Sequence, residues 1–204
     1  MKADHIEFLV EEPSMEAMLR SLVPHIIGKA SFEVYSFQCK DNLLSNLPNR
    51  LKGYAAWLPD NYRIVVVVDR DDDDCRKLKT TLEHHARNAK LITRTQSHGP
   101  IYQVVNRVVI EELEAWFFGD WSAVCQAYPR VNPKVPQKQA FRNPDSVVGG
   151  TWEALERHLQ RAGYFKTGLR KIELARSIAQ HMKPGLNRSK SFQVFRDALT
   201  EMVS

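Results

Sequence analysis

The chain has 204 residues, of which 43% are hydrophobic, and a formal net charge of +5. This composition supports a substantial core, and no stretch has the roughly 18 apolar residues of a membrane-spanning helix. The sequence does not open with a basic region followed by a long apolar segment, so we expect a cytoplasmic protein. Three cysteines without a Cys-x-x-Cys pair argue against a disulfide framework and a structural zinc site.

The first half of the sequence alternates strand and helix patterns. Residues 5–10 form a short apolar run that predicts a strand, and apolar residues at helical spacing predict a helix over 15–26. Alternation over residues 32–37 predicts a second strand. Residues 43–58 carry the apolar periodicity of a helix, which we expect to be interrupted near Pro48.

The middle of the chain holds the most strongly predicted strand. Residues 63–68 are β-branched throughout their centre, which is typical of a strand covered on both faces. Asp74 can cap a helix that continues to about residue 89. A short strand over 90–93 and an extended apolar stretch over 102–110 follow.

The remaining elements are mostly helical. Helix formers with an apolar face predict a helix over 111–118, and four prolines over 128–144 indicate a loop or lid that stays outside the core. Amphipathic patterns predict helices over 152–162, 169–182 and 191–202.

Strands that alternate with helices predict an α/β fold with an open, mainly parallel sheet flanked by helices, followed by a helical C-terminal extension. Residues 1–127 would form the α/β core. Residues 128–204, a Pro-rich loop and basic helices, would pack on that core as one structural unit.

Acidic residues follow three of the predicted strands. Five carboxylates lie within residues 69–74, directly after the buried third strand, where they repel one another unless a cation lies among them. Because the carboxyl ends of parallel strands meet at one edge of a sheet, we expect the acids of the three segments to lie together there. Asp74 is expected to cap the next helix, and for Asp72 and Asp73 capping and metal binding both stay open. The predicted metal ligands are Glu11, Asp69, Asp71, Asp73, Glu112 and Glu114.

Oxygen ligands without nearby His or Cys favour Mg²⁺ or Mn²⁺ over zinc. Two such ions about 3.5–4 Å apart can activate a water and stabilise a leaving oxygen in phosphodiester hydrolysis. We therefore expect one or two Mg²⁺ or Mn²⁺ ions at this edge.

The motif of Glu11 after the first strand and Asp69-x-Asp71 after a later one resembles the Toprim fold of topoisomerases, primases and OLD-type and RloB-type nucleases. The segment Ile110-Glu-Glu-Leu-Glu-Ala-Trp-Phe117 and the C-terminal Tyr164-x-Lys166, Asn187-x-Ser189 and Ser191-Phe192 motifs resemble a small Toprim-like bacterial family described as a domain of unknown function. This resemblance covers nearly the whole chain.

The resemblance implies a role for each matching acid. Glu11 would be a metal ligand or an acid/base, and Asp69 and Asp71 would hold the principal ion, so that these three would be the catalytic residues. Glu112 and Glu114 would complete a second ion site. It also implies an ATPase partner and a role in defence against phage or other foreign DNA. The chain departs from the pattern at residue 12, where it has Glu and the pattern commonly has Gly; this puts the turn, and with it catalysis, in question.

Basic residues concentrate at the other end of the chain. Residues 1–129 contain 15 Lys and Arg against 18 Asp and Glu (net −3), whereas residues 130–204 contain 14 against 6 (net +8). Such a basic surface beside an acidic site suits an enzyme that acts on a polyanion. Taken by itself, however, ordinary solubility charge is the more common explanation of a basic C-terminal third. Candidate phosphate-binding residues are Lys134, Lys138, Arg142, Lys166, Arg170 and Lys171.

These observations favour a metal-dependent Toprim-type nuclease acting on DNA or RNA. A non-catalytic binding or regulatory subunit of an ATPase complex is the alternative, and Glu12 motivates it. A phosphatase with an aspartate nucleophile fits less well, because such enzymes usually have a hydroxyl residue shortly after the Asp-x-Asp pair, whereas this chain continues with three aspartates.

Overall fold

The computed structural model describes residues 2–99, 101–168 and 170–204. Within them, four strands form one all-parallel sheet in the order β2-β1-β3-β4. This confirms the predicted α/β fold. The strands are β1 (His5–Val10), β2 (Ser31–Ser36), β3 (Tyr62–Asp69) and β4 (Val104–Val109).

Helices cover both faces of the sheet. The described residues form α1 (Pro13–Leu22), α2 (Pro24–Ile27), α3 (Lys40–Ala55), α4 (Cys75–Asn88), α5 (Glu114–Gly119), α6 (Trp121–Ala127), α7 (Thr151–Arg161), α8 (Lys171–Ala179) and α9 (Lys190–Val203). Four short 3₁₀ turns lie at Val135–Gln137, Gln139–Phe141, Pro144–Ser146 and Pro184–Leu186. None of the helices in the described ranges is long and apolar enough to cross a membrane.

The central strand β3 is buried on both faces, as its valines predict. Val65 and Val67 point into the larger core, which is built from α1 and the helices that follow β4. Val66 and Val68 point into the smaller core beneath α3 and α4. Successive side chains of a strand face opposite sides, so this one strand supports two helical layers.

Two sequence predictions about the elements are wrong. Residues 90–93 do not form a strand; only an isolated bridge joins Thr93 to Val104. Pro48 does not interrupt α3, because Leu43, Leu47 and Leu51, spaced four residues apart, are buried on both sides of it.

The Pro-rich segment is irregular, as predicted, but it is not excluded from the core. Val131, Val135 and Val147 are buried within the larger core. Val135 begins one of the 3₁₀ turns, and Val147 directly follows another. The helix predicted over 169–182 begins at Lys171, and Leu169 lies outside the described residues.

Asp74 caps α4 as predicted. Its Oδ1 accepts hydrogen bonds from the backbone N–H groups of Arg76 and Lys77, at 2.9 and 3.0 Å.

Replacing Asp74 with alanine should lower the free energy of unfolding by about 1 kcal/mol. Urea denaturation measures the change; Asp72→Ala, an exposed neighbour, is the control. An equal loss in both variants would contradict the cap.

Candidate functional site

The three acidic segments meet at the carboxyl edge of the sheet. Because β3 lies between β1 and β4, the loops that follow these strands are neighbours. Glu11, directly after β1, accepts a hydrogen bond at Oε2 from the backbone N–H of Asp69, at 3.0 Å. The backbone N–H of Asp71 donates to the carbonyl of Glu111, at 3.0 Å, and thereby joins the loops after β3 and β4.

Asp69 is the buried centre of this cluster. Its side chain is 6% exposed, and its Oδ2 accepts a hydrogen bond from the backbone N–H of Leu113 at 3.3 Å. Its Oδ1 is buried and has no hydrogen-bond partner among the described residues. Burial raises the pKa of Asp69 well above its usual value, and the negative charges of Glu11 and Glu114 raise it further. A buried carboxylate oxygen without a partner calls for a proton or a cation.

Two further carboxyl groups of the cluster share this behaviour. Burial raises the pKa of Glu11 to about 7, although the hydrogen bond from Asp69 opposes the shift. Burial also raises the pKa of Glu114 to about 8, and the nearby Lys171 ammonium opposes it. The side chains of Glu11, Asp69 and Glu114 are therefore costly to ionise together near neutral pH.

Glu114 should make stability depend on pH. Between the unfolded pKa of about 4.5 and the folded pKa of about 8, the folded state retains a proton that the unfolded state has lost, so stability falls as pH rises. Glu114→Gln removes this loss. Without metal, the variant should match the wild type near pH 4.5 and exceed its free energy of unfolding by on the order of 2–4 kcal/mol above pH 8. Urea titrations in EDTA across this range measure it; a constant difference would contradict the shift.

Lys40, at the start of α3, holds the outer acids. Its Nζ lies 2.7 Å from Asp71 Oδ2 and 2.8 Å from Asp73 Oδ2, and it also donates to the carbonyl of Arg70 at 3.1 Å. Arg70 in turn pairs with Glu111. The structure thus places Asp71 and Asp73 on a lysine at the outer side of the cluster, where both are exposed.

The side chain of Glu112 lies against the N-terminus of α7, although Glu112 itself precedes α5 in the chain. Its Oε2 accepts hydrogen bonds from Thr151 Oγ1 at 2.8 Å and from the backbone N–H of Trp152 at 2.9 Å. A carboxylate in this position satisfies free N–H groups of the helix and complements its dipole. Glu112 therefore ties α7 to the acidic edge, whereas the neighbouring Glu114 points into the buried cluster.

Glu12 and Lys171 complete the edge. Glu12 accepts a hydrogen bond from Ser14 Oγ, and its Oε2 lies 3.9 Å from Lys171 Nζ. Lys171, a predicted phosphate contact, instead lies over the Trp152 ring at 4.4 Å and faces the acids. Glu12 has φ −145° and ψ 161°, an extended backbone that any residue can adopt. A glutamate in place of glycine is therefore compatible with the turn.

In the described ranges, no three His, Cys, Asp or Glu side chains converge as they stand to hold a metal ion. The donor chemistry nevertheless fits a hard cation. Asp69 offers an unpartnered oxygen, and Glu11 and Glu114 are oxygen donors whose ionised forms lack sufficient neutralisation. Small side-chain movements toward a shared ion would relieve the repulsion among them.

The other predicted phosphate-binding residues are spread over the surface. Lys138 joins Arg130, His158 and Arg161 around a pocket of about 200 Å³ at the end of α7. Burial and the neighbouring positive charges lower the pKa of His158 to about 4, as expected for an electropositive pocket. Lys134, Arg142, Lys166 and Arg170 are exposed, and Arg170 pairs with Glu173 at 3.1 Å.

The two motif segments near α5 and α9 lock together. Trp116 Nε1 donates to Ser191 Oγ at 2.9 Å, and Asn187 Nδ2 donates to the carbonyl of Trp116 at 2.8 Å. Asn187 Oδ1 accepts from the Ser189 N–H at 2.9 Å, and Gly119 lies against this amide. These motif residues hold the loop and helix that carry Glu112 and Glu114.

No curated protein and no solved structure gives a significant match to the chain. A family model described as "Domain of unknown function (DUF4276)" matches residues 10–200. These residues include the acidic edge and the hydrogen-bonded motif segments near α5 and α9. The chain therefore belongs to the DUF4276 family.

Proposed function

We propose that this protein is a Mg²⁺- or Mn²⁺-dependent nuclease that hydrolyses phosphodiester bonds in DNA or RNA. The observation that carries the proposal is the buried Asp69, whose Oδ1 lacks a partner and whose pKa is raised among other carboxyl groups. Perturbed carboxyl groups at the carboxyl edge of a parallel sheet are typical of a functional site.

The site residues suit this chemistry in separate roles. Asp69 and Glu114 would hold the ion, with Asp71 joining when it leaves Lys40. A bound Mg²⁺ or Mn²⁺ would activate a water and neutralise charge on the phosphate. Glu11, with a pKa of about 7, can accept the proton of the attacking water or return one to the leaving oxygen.

The basic surface supports a polyanionic substrate. The N-terminus of helix α7 is hydrogen-bonded to Glu112 of the acidic edge, and the other end of the helix reaches the pocket of Arg130, Lys138 and Arg161. Its 11 residues span about 16 Å. A nucleic acid whose phosphates contact this pocket would lie within a few nucleotides of Asp69, and its affinity would fall with salt.

Cleavage of circular single-stranded DNA, plasmid and RNA tests the proposal. Products should form with Mg²⁺ or Mn²⁺ and not with EDTA. Glu11→Gln should lower the rate by about 10²–10⁴-fold, since it removes a proton-transfer group. Glu33→Gln, on the exposed edge strand β2, is the control and should retain the wild-type rate. Absence of cleavage under every condition, or equal rates for all proteins, would overturn the nuclease assignment.

A non-catalytic binding subunit is the second candidate. It is favoured by Lys40 and Lys171, which already neutralise part of the acidic edge. This candidate predicts a melting temperature that does not change with millimolar Mg²⁺ or Mn²⁺, whereas the nuclease should be stabilised by ion binding. The Toprim relationship, the ATPase partner and the role in defence stay predictions. Co-purification with an ATPase that is expressed together with this chain tests the predicted ATPase partner.

A further inference from the structure

A groove of about 560 Å³ runs along the free edge of the sheet. Strand β4 pairs only with β3 among the named strands. The outward backbone groups of its first residue, Val104, bond to Ile92 and Arg94, and its outer side is open beyond that point. Helix α4 forms one wall of the groove, and the start of α9 with the 3₁₀ turn Pro144–Ser146 forms the other. The floor is the outer side of β4 itself.

The backbone of this floor is set for pairing with another chain. Ile64 N–H donates to the Gln103 carbonyl and Arg70 N–H to the Val109 carbonyl, which fixes the odd-numbered residues of this strand as the ones bonded to β3. In a parallel ladder, the even-numbered residues then direct their N–H and C=O groups outward. These outward residues, Asn106, Val108 and Ile110, line the groove.

The described residues block only the start of this edge. Lys79 Nζ donates to the Asn106 carbonyl at 2.7 Å. Across the described ranges, no hydrogen bond reaches the outward backbone groups of Val108. Proteins usually protect a free edge with proline, charge or a covering segment. From residue 106 to 110 the open edge is about 13 Å long, enough for four or five extended residues.

The walls of the groove are positively charged. Arg76, Arg107 and Lys190 line it, and none of them forms a salt bridge with a carboxylate of the described residues. Arg107 Nε is buried and has no hydrogen-bond partner there. Asp145 also lines the groove, but its oxygens accept hydrogen bonds at the start of α9.

We propose that this groove binds an extended acidic segment of a partner protein, which adds to β4 as a fifth strand. Backbone pairing would supply affinity. The side chains of an added strand alternate between the two walls, so acidic side chains at alternate positions would face α9 and reach Arg107 and Lys190. The intervening apolar side chains would face α4 and contact Val108 on that side of the groove. This surface is separate from the acidic edge and does not depend on the proposed nuclease activity.

The same features disfavour the other occupants. No aromatic ring is among the residues that line the groove, so the stacking platforms that hold single-stranded nucleic acids are missing from the described part of this surface. Two copies of the chain paired through β4 would bring two basic grooves together, and like charges would repel. An acidic polypeptide matches both the backbone and the charge.

Binding of labelled ten-residue peptides tests the proposal. The probes are peptides in which Asp or Glu alternates with Val, Ile or Thr. Each peptide is compared with a control peptide of the same sequence that carries N-methyl groups on alternate backbone amides. Fluorescence anisotropy should show binding by unmethylated peptides and at least tenfold weaker binding by the methylated ones. A labelled decamer of single-stranded DNA serves as the competing probe.

Two variants place the binding on this groove. Val108→Pro removes an outward N–H without breaking the β3 ladder and should weaken binding at least tenfold. Lys190→Glu should weaken it similarly, whereas Lys52→Glu, exposed on α3 outside the groove lining, should not. Circular dichroism confirms folding, and N-methylation of the peptide tests pairing in wild-type protein. Equal binding of methylated and unmethylated peptides, or no peptide binding at all, would overturn the proposal. Lys190-dependent binding of DNA alone, or dimers that are lost in Val108→Pro, would also overturn it.

Discussion

Replacing Asp69 with asparagine should abolish metal-dependent cleavage and, in the same protein, raise the melting temperature without metal. Asparagine keeps the size of the side chain and can still accept the hydrogen bond from Leu113 through its oxygen. Its amide places a hydrogen-bond donor where the aspartate Oδ1 has no partner among the described residues, in a cluster that includes the carboxyl groups of Glu11 and Glu114. Replacing an uncompensated carboxylate with a neutral donor therefore removes a destabilising charge.

The two expected changes have opposite signs. Loss of a central ion ligand should cost several kcal/mol of transition-state stabilisation, at least about a thousandfold in rate. Removal of the buried charge should add about 1–3 kcal/mol to the free energy of unfolding, or about 3–10 °C in melting temperature for a chain of this size. Cleavage rates and thermal melts in EDTA at pH 8 measure the two changes.

Asp72→Asn is the matched control, since Asp72 lies in the same acidic run but is exposed. It should change neither the rate nor the melting temperature by much. Stabilisation of the Asp69 variant without loss of cleavage would separate the buried charge from catalysis and contradict its role as an ion ligand. Destabilisation would contradict the raised pKa.

Gly119→Ala should be strongly destabilising. A Cβ at this position would lie 2.0 Å from Asn187 Oδ1 and 2.9 Å from the Ser189 backbone nitrogen. Asn187 is 2% exposed and its amide is held by Trp116 and Ser189, so it cannot move aside without breaking these bonds. We expect a loss of about 2–4 kcal/mol, measured by urea denaturation.

Gly53→Ala, the same substitution at another site, should instead raise the free energy of unfolding. Gly53 lies inside α3, and an added Cβ would meet nothing within 4 Å. Alanine should stabilise the helix there by about 0.5–1 kcal/mol. If both variants lost similar stability, the contact between Gly119 and Asn187 would not be the cause.

The fold could be predicted because the strands carry local patterns. The β-branched run of β3 and the alternation of strands with helices were sufficient for a parallel sheet, and the positions of Glu11 and Asp69 after neighbouring strands followed from that topology. The strand predicted over 90–93 failed because its residues have strand propensity but only one bridge to pair with. Pairing depends on distant residues that a local pattern does not contain.

The ion-pair partners of the acidic residues could not be predicted from the sequence for the same reason. Lys40 is 31 residues from Asp71, and Lys171 is remote from Glu12, so neither ion pair has a local signal. Glu112 and Glu114 are two residues apart and look alike in the sequence. Only the packing of α7 on the loop after β4 separates a helix cap from a buried acid.

The lysine bridge over Asp71 and Asp73 has a consequence for how an ion would arrive. Because the amine already balances two of the negative charges, the loop after β3 can fold before any divalent ion is present. An incoming ion must then displace a resident counter-charge, which weakens its net affinity. We therefore expect exchangeable rather than permanently retained metal, lost on simple dialysis and restored by adding Mg²⁺ or Mn²⁺.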